Sequence, residues 1–345
     1  MKKVLNYIGR FIFLLAVLIL IWGIWHRDLV SYGWMQFKGQ AHIIYNARPI
    51  SEVLNDPTTT DSVKARIKLI QSVREFAIDS LGLKDTRNYT TFYDQHSRPL
   101  LWVITASEPY SLTAFNWKFP IVGEVSYKGF FDMERGILED SLLCVKGYDT
   151  DFGEVSAWST LGWFKDPILS GMLKRSDGSL AELIIHEMTH STLYVKSDVN
   201  FNENLASAVG EAGALKFLKH HYGPDSPELN QYIFRKEDSE LFTKQMLLAT
   251  EQLDTLYKRI SGLDEKLKYK FKYDRIKDIV SSLDTLPFHA AERYKGLFKD
   301  KLPNNAYFLN FIRYDSQKAE MREELKNVFN DNIANYLDAV RLRYK

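Results

Sequence analysis

The run Phe11 to Trp25, FIFLLAVLILIWGIW, holds no charged residue. A helix apolar on every face has no side to turn to water, so this first element belongs in a membrane or deep in a large core. Lys2, Lys3 and Arg10 precede the run, and His26, Arg27 and Asp28 end it. Its fifteen residues make about 22 Å of helix, short of a hydrocarbon layer of roughly 30 Å. Tyr7, Ile8 and Gly9 lengthen it, with Arg10 reaching back to the headgroups. Trp22 and Trp25 fall where an interfacial aromatic belt sits. The bulky residues Ile24 to Arg27 offer no small-x-small cleavage site. The expectation is an uncleaved single-pass anchor over residues 1–30. The positive charge ahead of it keeps the N-terminus in the cytoplasm and sends the rest to the periplasmic, or other extracytoplasmic, side of the inner membrane.

Beyond the anchor the chain reads as globular. Lys+Arg number 45 against Asp+Glu 44, so the clustered basic excess that nucleic acid requires is missing and no nucleic-acid partner is expected. The lone Cys144 excludes an internal disulfide and any site needing two thiolates. A bound metal must take His and carboxylate ligands.

Periodicity predicts helix from Gln36 to Leu83, where Ile67, Ile70, Val73, Phe76 and Ala77 keep steps of three and four before Gly82. Strands are expected at Leu100–Thr105, Ile121–Phe131 and Glu154–Thr160, with a helix over Met133–Val145. Helices come next over Leu180–Val195 and from Asn202 to His220, ended by Gly223-Pro224. Beyond Pro227 the pattern is almost wholly helical. Phe242, Met246, Ala249, Leu253, Leu256, Ile260, Leu263 and Leu267 alternate steps of four and three, a heptad seam suited to a helical hairpin or to a homodimer through residues 242–267. The fold class is therefore α+β, with a catalytic region at 31–225 and an α-helical C-terminal region at 226–345.

Chemistry concentrates in His186-Glu187-Met188-Thr189-His190, the pattern H-E-x-x-H. Residues four apart on a helix stand one above the other, so both imidazoles can reach a single zinc ion at about 2.0–2.1 Å. Glu187 is turned about 100° from His186. It is too displaced to be a convenient ligand, yet it can take a proton from zinc-activated water as general base. A catalytic zinc takes three protein ligands and leaves one position open. Glu203 and Glu211 are the candidates for the third, about 12 Å apart along one helix, so both cannot bind one ion. Glu203 is preferred. The segment Lys196–Phe201 can carry the chain back across the metal, and Ala206, Ser207 and Gly210 let the two helices approach. Glu211 is the alternative.

At these residues the chain resembles a bacterial family known as predicted or putative aminopeptidases, relatives of the zincin-like, gluzincin-type metallopeptidases. The matching stretches are Ala47-Arg48-Pro49-Ile50, Asn55-Asp56-Pro57, Phe119 to Gly123, Tyr127 to Phe131, Ser159 to Pro167, the H-E-x-x-H segment and Phe201-Asn202-Glu203. The resemblance implies a zincin-like core with a small β-sheet beside the metal helix, and one Zn2+. In similar peptidases with an Asn-Glu-x-x-Ala pattern the Glu is the third ligand, which favours Glu203. It also implies a strand that pairs with extended substrate, for which Gly123, Val125 and Tyr127 are candidates, and a cleft that Ser159 to Trp163 can line. A weaker match at Pro303 to Ala306 is followed by Tyr314, a candidate donor to the oxyanion; Tyr194 is its rival. The Gly-x-Met-x-Asn strand with which well-studied zinc aminopeptidases grip a substrate's amino terminus is not present. The expected function is a membrane-anchored zinc peptidase acting on peptides. A zinc endopeptidase of the same fold, and an inactive scaffold binding partners through its helical C-terminal region, are the alternatives.

Overall fold

The computed structural model describes residues 2–120, 123–155, 165–196, 198–312 and 318–344. Helix α1, Lys2–Trp25, contains the apolar stretch Tyr7–Trp25, of mean hydropathy 2.3, none of which is buried by the rest of the chain. A helix of that length and composition can cross a membrane or serve as a signal sequence. Helix α2, Arg27–Asn46, starts after His26 alone.

The long helix expected over 36–83 is broken. Pro49 lacks an N–H and favours extended backbone before it, so Arg48–Pro49 form the short strand β1. Ile50–Asn55 make α3. A turn at Asp56-Pro57 leads to Thr60, whose hydroxyl accepts from the Val63 N–H and starts α4, Asp61–Asp79. Gly82, at φ +70°, turns the chain away.

Strands β2 (Thr91–Tyr93) and β3 (Leu101–Ser107) come next, then β4 (Trp117–Phe119), β5 (Gly123–Val125) and β6 (Lys128–Phe130). Helix α5 (Met133–Val145), β7 (Asp149–Val155) and β8 (Ile168–Leu169) complete the mixed region. Among the described residues they form three small sheets, in the orders β1-β2-β8, β6-β3-β7 and β4-β5, and only the β2–β8 pair runs parallel.

Two strands differ from expectation. The single strand at 121–131 is divided: β5 pairs with β4 while β6 pairs with β3. The step from Val122 to Val125 is odd, which a continuous strand with one apolar face does not permit. The strand expected at 154–160 begins earlier, as β7 at Asp149, and pairs with β3 as far as Val155; residues 156–160 fall outside those described. The Asp149 carboxylate accepts from Lys272 Nζ at 2.5 Å and from the Asn305 N–H at 2.9 Å.

The C-terminal helices are α6 (Asp177–Thr192), α7 (Val199–Tyr222), α8 (Pro227–Ile260) and α9 (Glu265–Leu283). Then come α10 (Asn305–Ile312), α11 (Lys318–Asn327) and α12 (Ile333–Arg343). The largest apolar cluster packs Leu180, Ile184 and Ile185 of α6 against Leu205 and Val209 of α7 and Ile67 and Ile70 of α4. It also gathers Leu325 of α11 and Leu337 of α12. The heptad seam stops short of Leu267, because α8 ends at Ile260 and Asp264 caps α9 by accepting from the Leu267 N–H. Phe242, Met246, Ala249 and Leu253 are buried within this chain, in a second cluster with Ile276 and Ile279 of α9 and Phe308 of α10.

The close approach of α6 and α7 depends on glycine. A Cβ on Gly210 would meet the Glu182 carbonyl oxygen at 3.0 Å and His186 Cβ at 3.2 Å. Gly210→Val therefore forces the helices apart at the histidine. It is expected to lower the unfolding free energy by about 1–3 kcal/mol. An unchanged midpoint in thermal denaturation would show that the interface yields freely.

Candidate metal centre

Helix α6 carries His186 and His190 one turn apart, and their Nε2 atoms lie 3.1 Å from each other. From α7, Glu203 presents one carboxylate oxygen to each ring: Oε2 is 3.4 Å from His186 Nε2, and Oε1 is 3.4 Å from His190 Nε2. The three residues form a group able to hold a metal ion, with all donor atoms within 4.8 Å of one another. The fit can be tested on those edges. Donors about 2.0–2.1 Å from a tetrahedral ion stand roughly 3.3 Å apart. The 3.1 Å between the two Nε2 atoms is close to that spacing, and each imidazole has a different oxygen of the Glu203 carboxylate at 3.4 Å. The donor set, two imidazoles and one carboxylate, suits a borderline cation such as zinc.

Local structure explains why Glu203 arrives there. Asp198 caps α7, accepting from the Phe201 N–H at 3.0 Å. Asn202 then clasps the turn out of α6: its Oδ1 accepts from the Val195 N–H, while its Nδ2 donates to the carbonyls of Val195 and Asp198, each at 2.8 Å. The connection is locked to the first turn of α7, so the next residue, Glu203, cannot slide along the helix axis. The His190 side chain is almost fully buried. Its Nδ1 has no hydrogen-bond partner among the described residues, so packing and the Nε2 contacts orient the ring.

Charge at the site is strongly coupled. Burial penalises the Glu203 carboxylate, but hydrogen bonds from His186 and His190, with their charges, outweigh it and bring its pKa down to about 2. Burial likewise disfavours the His186 imidazolium, yet its hydrogen bond to Glu203 and the nearby charges of Glu187, Glu203 and Glu182 raise its pKa. The signs give a pH prediction. In the metal-free chain the raised His186 value contributes stability that is full below pH 6.5 and is lost as pH rises through the folded value. Glu203 contributes above its ordinary value of 4.5 and loses that contribution as pH falls toward about 2. Metal needs neutral imidazole, so its affinity moves the other way, weakening by about tenfold per pH unit below the His186 value. Thermal denaturation of both forms from about pH 5 to 8 checks this: the stabilisation added by metal grows with pH.

Glu187 stands half-buried beside His186, and its carbonyl accepts from the Ser191 hydroxyl one turn on. Asn88 reaches that hydroxyl at 3.3 Å, laying the segment Asn88-Tyr89 along the Glu187 face of α6. Tyr89 is fully buried at φ +60°, and the charges of Glu187 and Asp166 add to burial in raising its pKa. Sequence reasoning points to neither residue; a tyrosine in left-handed backbone carries no local signal.

Glu211 lies two turns beyond Glu203 and outside the metal-capable group. It is buried against Lys236 at 3.0 Å, Arg322 at 2.8 Å and Lys318 at 3.4 Å. Lys236 also donates to Glu182, one turn before His186, and Tyr232 donates to the same carboxylate. Tyr194 sits just past the end of α6 and is exposed. Gly123 and Val125 belong to the β4–β5 hairpin and Tyr127 lies just beyond it, half exposed; none of the three has a described contact with the histidines. Tyr314, Val122 and Ser159 to Trp163 fall outside the described residues.

The sequence profile of a family described as Putative aminopeptidase matches residues 31–343. The chain belongs to that family. The match starts at Ser31, after α1, and runs through every element that builds the site. No curated protein and no solved structure matches the chain. Membership of this aminopeptidase family supports a peptidase function.

Proposed function

We propose that the chain is a zinc-dependent peptidase with a zincin-like core, anchored by α1 and removing residues from the amino termini of peptides outside the cytoplasm. One observation carries the reading. Two imidazoles and a carboxylate, from two helices locked together at Gly210 and Asn202, converge so that one donor atom from each lies within 4.8 Å of the others.

His186, His190 and Glu203 would hold the ion, which would supply a Lewis acid and lower the pKa of water there toward about 7. Glu187 is the general base: its carboxylate accepts the proton of the attacking water and returns it to the leaving amine nitrogen. Asn88 bonds Ser191 one turn on from Glu187, and the fully buried Tyr89 lies close enough to feel the charge of the Glu187 carboxylate. Glu182 and Lys236 brace α6 one turn earlier, holding His186 in register.

The missing Gly-x-Met-x-Asn strand motif favours a second reading, endopeptidase action on the same centre. Purified full-length chain, loaded with zinc, should trim peptides with free amino termini and leave N-acetylated copies intact. Chelation should abolish the activity and added zinc restore it. Equal cleavage of both peptides moves the assignment to an endopeptidase. Activity indifferent to chelation removes the metal mechanism.

A further inference from the structure

Helices α2 and α5 share an apolar face that no other part of the described chain covers. On α2, Val30, Trp34 and Phe37 are spaced by steps of four and three, so they form one stripe, with Trp34 65% and Phe37 62% exposed. The opposite side of α2 is the packed one. There the Tyr32 hydroxyl and Gln36 Nε2 both donate to the Gly129 carbonyl, Gly39 lies under the Phe131 ring, and Ile43 is buried. On α5, Met133, Ile137, Leu138, Leu142 and Val145 are all exposed, Val145 by 88%. The packed side of α5 is Gly136 against Phe152, with Leu143 in the core.

The two faces meet at Met133, in a groove that Lys38, Glu134 and Arg135 also line. Arg135 Nη1 donates to the Ser31 carbonyl at 3.1 Å, and Met133 lines the same open groove as Trp34 and Phe37. Contiguous apolar surface of this extent marks a contact with another protein or with a membrane. Chain connectivity decides between them. Helix α1 ends at Trp25 and α2 begins at Arg27. Ser31 is therefore no more than about 9 Å of helix from Trp25. Helix α5, bonded to Ser31, lies beside the end of the apolar segment. Aromatic residues at Trp25, Trp34 and Phe37 suit the headgroup level of a bilayer.

We propose that the α2–α5 face rests in the headgroup–acyl boundary of the bilayer that α1 crosses, holding the body of the protein flat on the membrane. The proposal depends on reading α1 as a membrane anchor. The apolar character of the face makes zwitterionic phospholipid a sufficient partner.

The chain's own thiol tests it. Cys144 is exposed and comes seven residues after Ile137, two helical turns, on the same side of α5. A polarity-sensitive fluorophore on Cys144 of the full chain, reconstituted in phosphatidylcholine vesicles, should shift to the blue. It should also be quenched by lipid spin-labelled near the headgroup. Two comparison chains carry Cys144→Ser together with Trp25→Cys, at the end of α1, or with Lys326→Cys, on α11, which packs on α7. Quenching at 144 and 25 should exceed that at 326 at least threefold. Quenching at 25 with 144 no different from 326 overturns the proposal and leaves the anchor standing. No quenching at 25 overturns both. A label at 144 shielded from lipid and from aqueous quenchers alike shows a protein partner on the face, and that also overturns it.

Discussion

Glu187→Gln is expected to keep its metal and to lose peptide hydrolysis by a factor of about 10²–10⁴ or more. The substitution preserves volume and the capacity to accept one hydrogen bond, but an amide takes no proton at neutral pH. The three residues of the metal-capable group are His186, His190 and Glu203; Glu187 is not among them. Metal content should therefore stay near one ion per chain. Glu187 is half-buried and lies among acids, with Glu203 and Glu182 also acting on His186. Removing one negative charge lowers the drive to protonate His186, so the variant should hold metal to slightly lower pH than the unaltered chain. Atomic absorption on the purified protein and a peptide-cleavage assay make the pair of measurements. Full cleavage activity in the variant would end the role given to Glu187. Loss of activity together with loss of metal would show instead that the carboxylate maintains the site.

How much of this is legible in the sequence differs between its parts. The expected bounds of α6 and α7 lie within three residues of the observed ones at each end, because their cues are local: an apolar 3-4 spacing and a Gly223 stop. The two histidines share a side of α6 for the same local reason. Glu203 is a different case. Its place depends on Asn202 binding both backbone groups of Val195, and nothing in an Asn-Glu pair announces that clasp. The strands are the least legible. Nothing in the local pattern marks Asp149 to Phe152 as a strand; there Asp149 accepts from Lys272 of α9 and from the Asn305 N–H of α10, each more than a hundred positions away. The heptad seam reads as one unbroken stripe, yet the cap at Asp264 outweighs the spacing, and α9 folds back on α8. Patterns that repeat within a few residues are visible, while contacts made across the chain are not.

Glu211 shows the same limit and supports the last prediction, that Glu203→Ala and Glu211→Ala fail in different ways. Both are carboxylates on α7, and by sequence either could face the metal. In the fold Glu203 reaches both imidazoles at 3.4 Å, whereas Glu211 is enclosed by Lys236, Lys318 and Arg322, whose charges hold it ionised against the penalty of burial. Removing Glu203 takes away one of three donors. Since losing even an outer-layer partner weakens a metal site by about 10–100-fold, affinity should fall by more than about 100-fold. The fold should survive, because Glu203 is one-third exposed and its loss leaves only histidines that can become neutral. Removing Glu211 leaves Lys236 and Arg322 with one carboxylate each, Glu182 and Glu240. A broken buried pair costs about 3–5 kcal/mol, and the surviving partners put this one at the lower end. Glu211→Ala should therefore bind metal with near-normal affinity while folded, but denature at markedly lower temperature or urea concentration. Metal titration and urea unfolding of the two variants separate these outcomes. If Glu211→Ala released the metal while its unfolding midpoint held, the third ligand would be Glu211, and the triangle of donors at Glu203 would not be the working site.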